Sequence, residues 1–169
     1  MGSPIISHII GTVSLLVLFG IVSAYYTISY SSLQSEIIAS NLQEVADYAS
    51  SEIVDLVSLC SLSVEDQILI KEIRIPEEIR NYAYNLTIIE SGELLKVFIY
   101  LTSNPAVFGE SILPWLIGTQ FSVFNGTNFG INGTGMSPRM TISSISNNPV
   151  AWCVMNAGKI TFGLGVMEA

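Results

Sequence analysis

Residues 4–30 read PIISHIIGTVSLLVLFGIVSAYYTISY. This stretch contains no Asp, Glu, Lys or Arg, and it is long enough to cross the hydrocarbon core of a bilayer as a helix. Pro4 stands near its start, where proline costs a helix little. Tyr25, Tyr26 and Tyr30 gather at the other end, where an aromatic belt would sit. Gly11, Ser14, Gly20 and Ser23 are small enough to let a second helix approach closely. Leu15, Leu16, Leu18, Phe19, Ile21 and Val22 form the packing surface around them. A cleaved secretory signal would need a basic leader and a shorter apolar core, so the segment is expected to be retained. His8 is the chain's one histidine. It reads as a neutral group near the membrane end rather than as a metal or proton site.

The helical period continues past Tyr30. Ile38, Leu42, Val45, Ala49, Ile53, Leu56 and Cys60 recur every three or four residues as an apolar stripe. Glu36, Ser40, Glu44, Asp47, Ser51 and Asp55 form a polar stripe. Glycine and proline are both missing between Ile21 and Leu62. The expectation is one helix from about residue 4 to about 60, roughly 80 Å long. Its second half has one face to bury, against its own domain or a neighbouring subunit. The stripe is not a strict heptad, so packing on the domain fits better than a stalk coiled coil.

From about residue 66 the period becomes two. Gln67–Ile75, Tyr82–Glu90, Glu93–Thr102, Thr119–Phe124, Met140–Ile145, Ala151–Met155 and Ile160–Met167 read as strands. Ser91-Gly92 and Asn156-Ala-Gly158 read as hairpin turns. The stretches 103–118 and 125–138 read as loops. Roughly six to eight short strands at this spacing predict an all-β antiparallel, sandwich-like domain. The expected organisation is therefore 1–30 as the apolar half of the helix, 31–62 as its amphipathic half, and 63–169 as a β-rich domain.

Net charge is −8, from 14 acidic and 6 basic residues. With no basic patch, binding to nucleic acid or an electrostatic grip on anionic lipid is not expected. Three Asn-X-Thr sequons, at Asn85, Asn125 and Asn132, are candidate N-glycan acceptors and favour a domain outside the cell. The same residues also suit turns and strands. Cys60 and Cys153 are too few for a zinc site. Two readings stay open for them: small buried apolar residues, or one disulfide tying the end of the helix to a strand.

The chemistry of an enzyme is not legible here. A single histidine leaves no ordinary His-based triad, and there is no CxxC or phosphate loop. Gly163-Leu-Gly165 falls in an expected strand. Glu65-Asp66 and Glu77-Glu78 read as solvated charges, and Lys71, Glu72 and Arg74 as surface ions on a strand. No catalytic residue, metal or cofactor is expected.

Ser3-Pro-Ile-Ile-Ser-His-Ile-Ile-Gly11-Thr12, followed by the aliphatic run, resembles the mature N-terminus of archaeal type IV pilins. The related archaellum filament and pseudoperiplasmic components look similar. The resemblance implies a long helix that is half membrane anchor and half support for a β-domain. In filament-forming members the apolar half becomes the helical core of the filament after leaving the membrane. Two features depart from the wider superfamily. Only Met1-Gly2 precedes Ser3, without a basic leader, and the glutamate common at the fifth mature position of bacterial pilins is missing. Either the chain starts near its mature end, or it stays uncleaved in the membrane.

The resemblance implies a structural subunit of an extracellular pilus-like filament, a helical homo-oligomer serving adhesion or motility. Such a subunit is anchored by a single membrane pass before assembly, and here the three sequons are its candidate N-glycan acceptors. The alternative is a single-pass, membrane-anchored cell-envelope accessory protein that does not polymerise. It would bind through 103–118 and 125–138, where Trp115, Phe121 and Phe129 offer apolar contact.

Overall fold

The structure, a computed structural model, describes residues 4–63, 65–116, 120–126 and 134–168. It consists of one long helix followed by a two-sheet, mostly antiparallel β-domain, a pilin-like architecture. Helix α1 spans Pro4–Ser61 without a break. It ends in a tightened turn. The N–H groups of Leu62 and Ser63 take the Leu59 and Cys60 carbonyls, and the Ser61 hydroxyl takes that of Ser58. Carbonyls that a helix end would leave unpaired are thus satisfied locally. By compactness the chain divides into Met1–Ile37 and Ile38–Ala169, a boundary inside α1.

Nine strands follow among the described residues: β1 Gln67–Glu72, β2 Tyr84–Ser91, β3 Leu94–Leu101, β4 Phe108–Leu116, β5 Phe121–Val123, β6 Met136–Arg139, β7 Thr141–Ser143, β8 Pro149–Asn156 and β9 Lys159–Met167. One sheet runs β1-β8-β9, with β5 and β6 sharing the far edge of β9; the other runs β4-β3-β2-β7. The β5–β9 pair is parallel, the one departure from antiparallel pairing among the described residues. The turns are those the sequence called for. Gly92 has positive φ between β2 and β3, and Ala157 and Gly158 have positive φ between β8 and β9.

The stretch 103–118 is not a loop throughout, because β4 lies in it. Its pattern, FGESILPWL, is broken by Gly, Glu, Ser and Pro, and the structure explains why. Leu95 pairs with Leu113 but Leu94 with Leu116, so Pro114 and Trp115 form a bulge on an edge strand, where a proline without an N–H is tolerated. Likewise 125–138 gives up its end to β6, which pairs with β9 despite Pro138. Strand β1 stops at Glu72, short of Ile75, although Ile73 still donates to the Pro149 carbonyl at 2.9 Å.

The core joins three layers. The α1 stripe from Ile38 to Cys60 meets Leu86, Val97 and Ile99 of one sheet and Cys153, Phe162 and Leu164 of the other. The polar stripe stays exposed throughout. A smaller cluster covers the other side of β8, where Trp152, Val150 and Val154 pack with Met136, Phe124 and Ile70. This is why PVAWCVMN is buried along nearly its whole length, without alternation.

Helix and sheets are also joined by polar contacts. Glu52 of α1 pairs with Lys71 of β1 at 2.6 Å, and that hydrogen bond raises the lysine pKa. Gln43 bonds twice to the backbone of Glu110. Its Nε2 donates to the carbonyl at 2.8 Å, and its Oε1 accepts from the N–H at 3.1 Å. The side-chain amide thereby stands where a neighbouring strand's peptide would, on the free edge of β4. Alongside it Gly109 brings β4 against the helix backbone.

Tyr84 opens β2 fully buried. Its hydroxyl donates to the Pro76 carbonyl, and Ser144 binds both its N–H and its C=O. Burial pushes the phenol well above the ordinary tyrosine value. A group whose pKa is raised by folding contributes stability below its unfolded pKa, about 10 for tyrosine, and loses it as pH rises. Tyr84→Phe is therefore expected to cost about 1 kcal/mol at neutral pH. It should also flatten the loss of stability above about pH 10. Denaturant titrations at both pH values check this, and an unchanged alkaline slope would exclude Tyr84 as its source.

Candidate functional site

The candidate site is the surface of α1 from His8 to Ile37. No residue in this span is buried, and none before Glu36 is charged. Leu15, Leu16, Leu18, Phe19, Ile21 and Val22 are all exposed, Phe19 by 69%. The apolar surface does not end at Tyr30, since Leu33 and Ile37 continue it. The most apolar 18-residue window has a mean hydropathy of 2.0 and is wholly unburied, so α1 is long and apolar enough to cross a membrane.

Four hydroxyls on this surface are turned inward. Thr12 Oγ1 donates to the His8 carbonyl and Thr27 Oγ1 to that of Ser23, both at 2.9 Å. Ser31 Oγ donates to the Ile28 carbonyl at 2.8 Å and Ser35 Oγ to that of Ser31 at 3.1 Å. A hydroxyl bonded to its own helix needs no water and is tolerated in an apolar medium. The rule that Ser and Thr in helices bond back three or four residues would have found these four from sequence. Near the end of the span, Gln34 Nε2 donates to Tyr30 Oη at 2.8 Å, and Tyr25 and Tyr26 meet edge to face.

The small residues do not share one face. Gly11 and Ser14 are neighbours on the helix surface, as are Gly20 and Ser23. Gly11 and Gly20, however, lie about two and a half turns apart and so point to opposite sides. Neither glycine has anything near the position of a Cβ. The helix thus carries two shallow notches, one per side.

A second apolar surface lies on the outer face of β3 and β4. Phe98 packs against Tyr100 and Phe108 at ring separations of 5.7 and 5.2 Å. Ile112, Leu116 and Leu94 extend it in the open, and the Lys96–Glu110 pair crosses it. Trp115 and Phe121, expected as exposed contact residues, are instead partly buried against the core. They stack on each other at 5.3 Å, and Trp115 also meets Phe162. Trp115 stands two residues beyond the buried Leu113, on the same inward side of β4. Phe129 lies outside the described residues.

Asn85 is the second residue of β2, half-buried, and Thr87 of its sequon donates to the Met140 carbonyl at 2.9 Å. Asn125 is exposed after β5; Asn132 lies outside the described residues. Cys60 and Cys153 are buried free thiols. Among the described residues no group of His, Cys, Asp and Glu could hold a metal ion. One open cleft of about 550 Å³ gathers Glu44, Tyr48, Arg74, Glu78 and Arg80 beside Asn41. These residues do not pair a nucleophile with a base.

The chain matches none of the protein-family models, curated proteins or solved structures with which it was compared.

Proposed function

We propose that this protein is a structural, non-enzymatic subunit of an extracellular pilus-like filament, held together by the apolar half of α1. The observation that carries this reading is the His8–Ile37 surface, uncharged before Glu36, with no residue buried and with four hydroxyls bonded back to its own backbone. Such a surface has to be covered, and a bundle of identical helices covers it as well as lipid does. Notches on opposite sides favour neighbours on more than one side, as a filament core requires. The outer patch of Phe108, Ile112 and Leu116 offers a second place for subunits to meet. The N-terminal resemblance to archaeal type IV pilins points the same way, and a single-pass membrane stage before assembly follows from it.

The Tyr25, Tyr26 and Tyr30 cluster favours a second reading, a permanently anchored envelope protein whose tyrosines mark the membrane surface. Electron microscopy of sheared cell-surface material, prepared without detergent, separates the two. Filaments containing this chain, with residues 8–37 in a central bundle, are expected. Recovery only from detergent-solubilised membrane, as monomers or small complexes, would replace the filament with the anchored protein.

A further inference from the structure

We infer that Cys60 and Cys153 form an intrachain disulfide in the mature protein, fastening the last turn of α1 to β8. These are the chain's two cysteines, so one pairing exists within the chain. Both are completely buried and belong to the same core cluster. Cys60 closes the apolar stripe of the helix. Cys153 sits mid-strand, paired with Leu69 of β1 on one side and Phe162 of β9 on the other. Burial, with Cys60 as its neighbour in this core, pushes the Cys153 thiol well up. Two small apolar residues would fill this space without the chemistry. Thiols placed side by side in an oxidising compartment are substrates for exchange.

The inference rests on the proposed placement of the β-domain outside the membrane. The oxidant is an exchangeable disulfide carrier. One cysteine thiolate attacks the carrier's S–S bond, forms a mixed disulfide and releases one carrier thiolate. The second cysteine thiolate then attacks the protein sulfur of that mixed disulfide and expels the other carrier thiolate. Two protons leave the cysteines, and two electrons pass to the carrier, which ends as a dithiol. Because only thiolates attack, burial closes this route once the helix has docked. The bond therefore forms before α1 settles on the sheets, and afterwards it is shielded from reductant.

The test has two arms, both on the full-length chain. In the first, cells with or without external protease treatment are lysed directly into denaturant containing excess maleimide. Mass spectrometry is expected to find no adduct before reduction and two after. Two adducts without reduction on a protease-accessible domain would overturn the disulfide and leave the placement standing. Two adducts on a protected domain would overturn both. In the second arm, the purified chain is reduced, unfolded and refolded in detergent with glutathione disulfide, which tests the geometry whatever the compartment. An intrachain Cys60–Cys153 bond is expected. Thiols of chain folded before the glutathione disulfide is added should react roughly 100-fold more slowly or less. Reduction should lower the unfolding midpoint by roughly 10–20 °C, and should not do so in Cys60→Ala/Cys153→Ala. Free thiols or only interchain dimers after refolding would overturn the pairing.

Discussion

Gly109→Ala is expected to destabilise the full-length protein by about 3–5 kcal/mol, combining overpacking with the loss of two hydrogen bonds. A Cβ at this position would stand 2.5–2.7 Å from Leu42 and Gln43 backbone atoms. Those atoms belong to the helix main chain and cannot rotate aside as a flexible side chain would. Either β4 or α1 has to move, and both bonds between Gln43 and Glu110 depend on their present spacing. Leu42, completely buried, would lose its packing as well. The control is Gly11→Ala, a helical position with nothing near its added methyl. Denaturant unfolding in detergent, followed through Trp115 and Trp152 fluorescence, measures both variants. A Gly109→Ala chain as stable as Gly11→Ala would mean that helix and strand are not in this contact.

The second large effect is expected on the apolar half of α1. Leu16→Arg/Phe19→Arg puts two guanidinium groups into its most apolar stretch. Each exchange costs about 3–4 kcal/mol on the insertion scale, roughly 6–8 together. The apolar residues of a span contribute only about 0.3–0.6 kcal/mol each, so the pair offsets nearly all of them. The expected result is loss of the chain from the membrane fraction that resists alkaline carbonate extraction. Ser40→Arg, on the exposed polar stripe, should leave that fraction unchanged. A filament subunit that passes through the membrane and a permanently anchored protein both require this outcome. Retention of the doubly substituted chain would count against both, because neither a bilayer nor a helical bundle hides two such charges cheaply.

Much of this architecture is legible in the sequence because two periodicities meet at one boundary. From Ile38 to Cys60 every residue of the apolar stripe is buried or half-buried, and every residue assigned to the polar stripe is exposed. The turns at Gly92 and Gly158 are legible because few other residues accept positive φ. Strand β4 is not, since its glycine and proline look like loop residues until the helix and the bulge supply their reasons. Trp115, which lies in that strand, is illegible for the same reason. The clusters on both sides of β8 also escape a single-sequence reading, because a run buried on both faces has no alternation to read. The apolar surface of α1 is plain in the sequence, and four of its inward hydroxyl bonds follow from a known rule. What covers that surface is a property of neighbours, and no residue in the chain encodes it by itself.

The close approach at Gly109 has a consequence for how the domain finds its pairing. Strands β1 and β8 come from far apart in the chain, as do β2 and β7, so much of the domain forms by slow, long-range encounters. A strand that slips by one residue turns every side chain to the wrong face. Helix α1 precedes every strand in the chain, and it offers β4 an index mark. One residue with no side chain fits against Leu42 and Gln43, and the next presents its N–H and C=O to the Gln43 amide. Slide β4 by one position either way and Phe108 or Glu110 would meet the helix backbone instead. The helix acts as a ruler for the sheet, with its zero set at a single glycine.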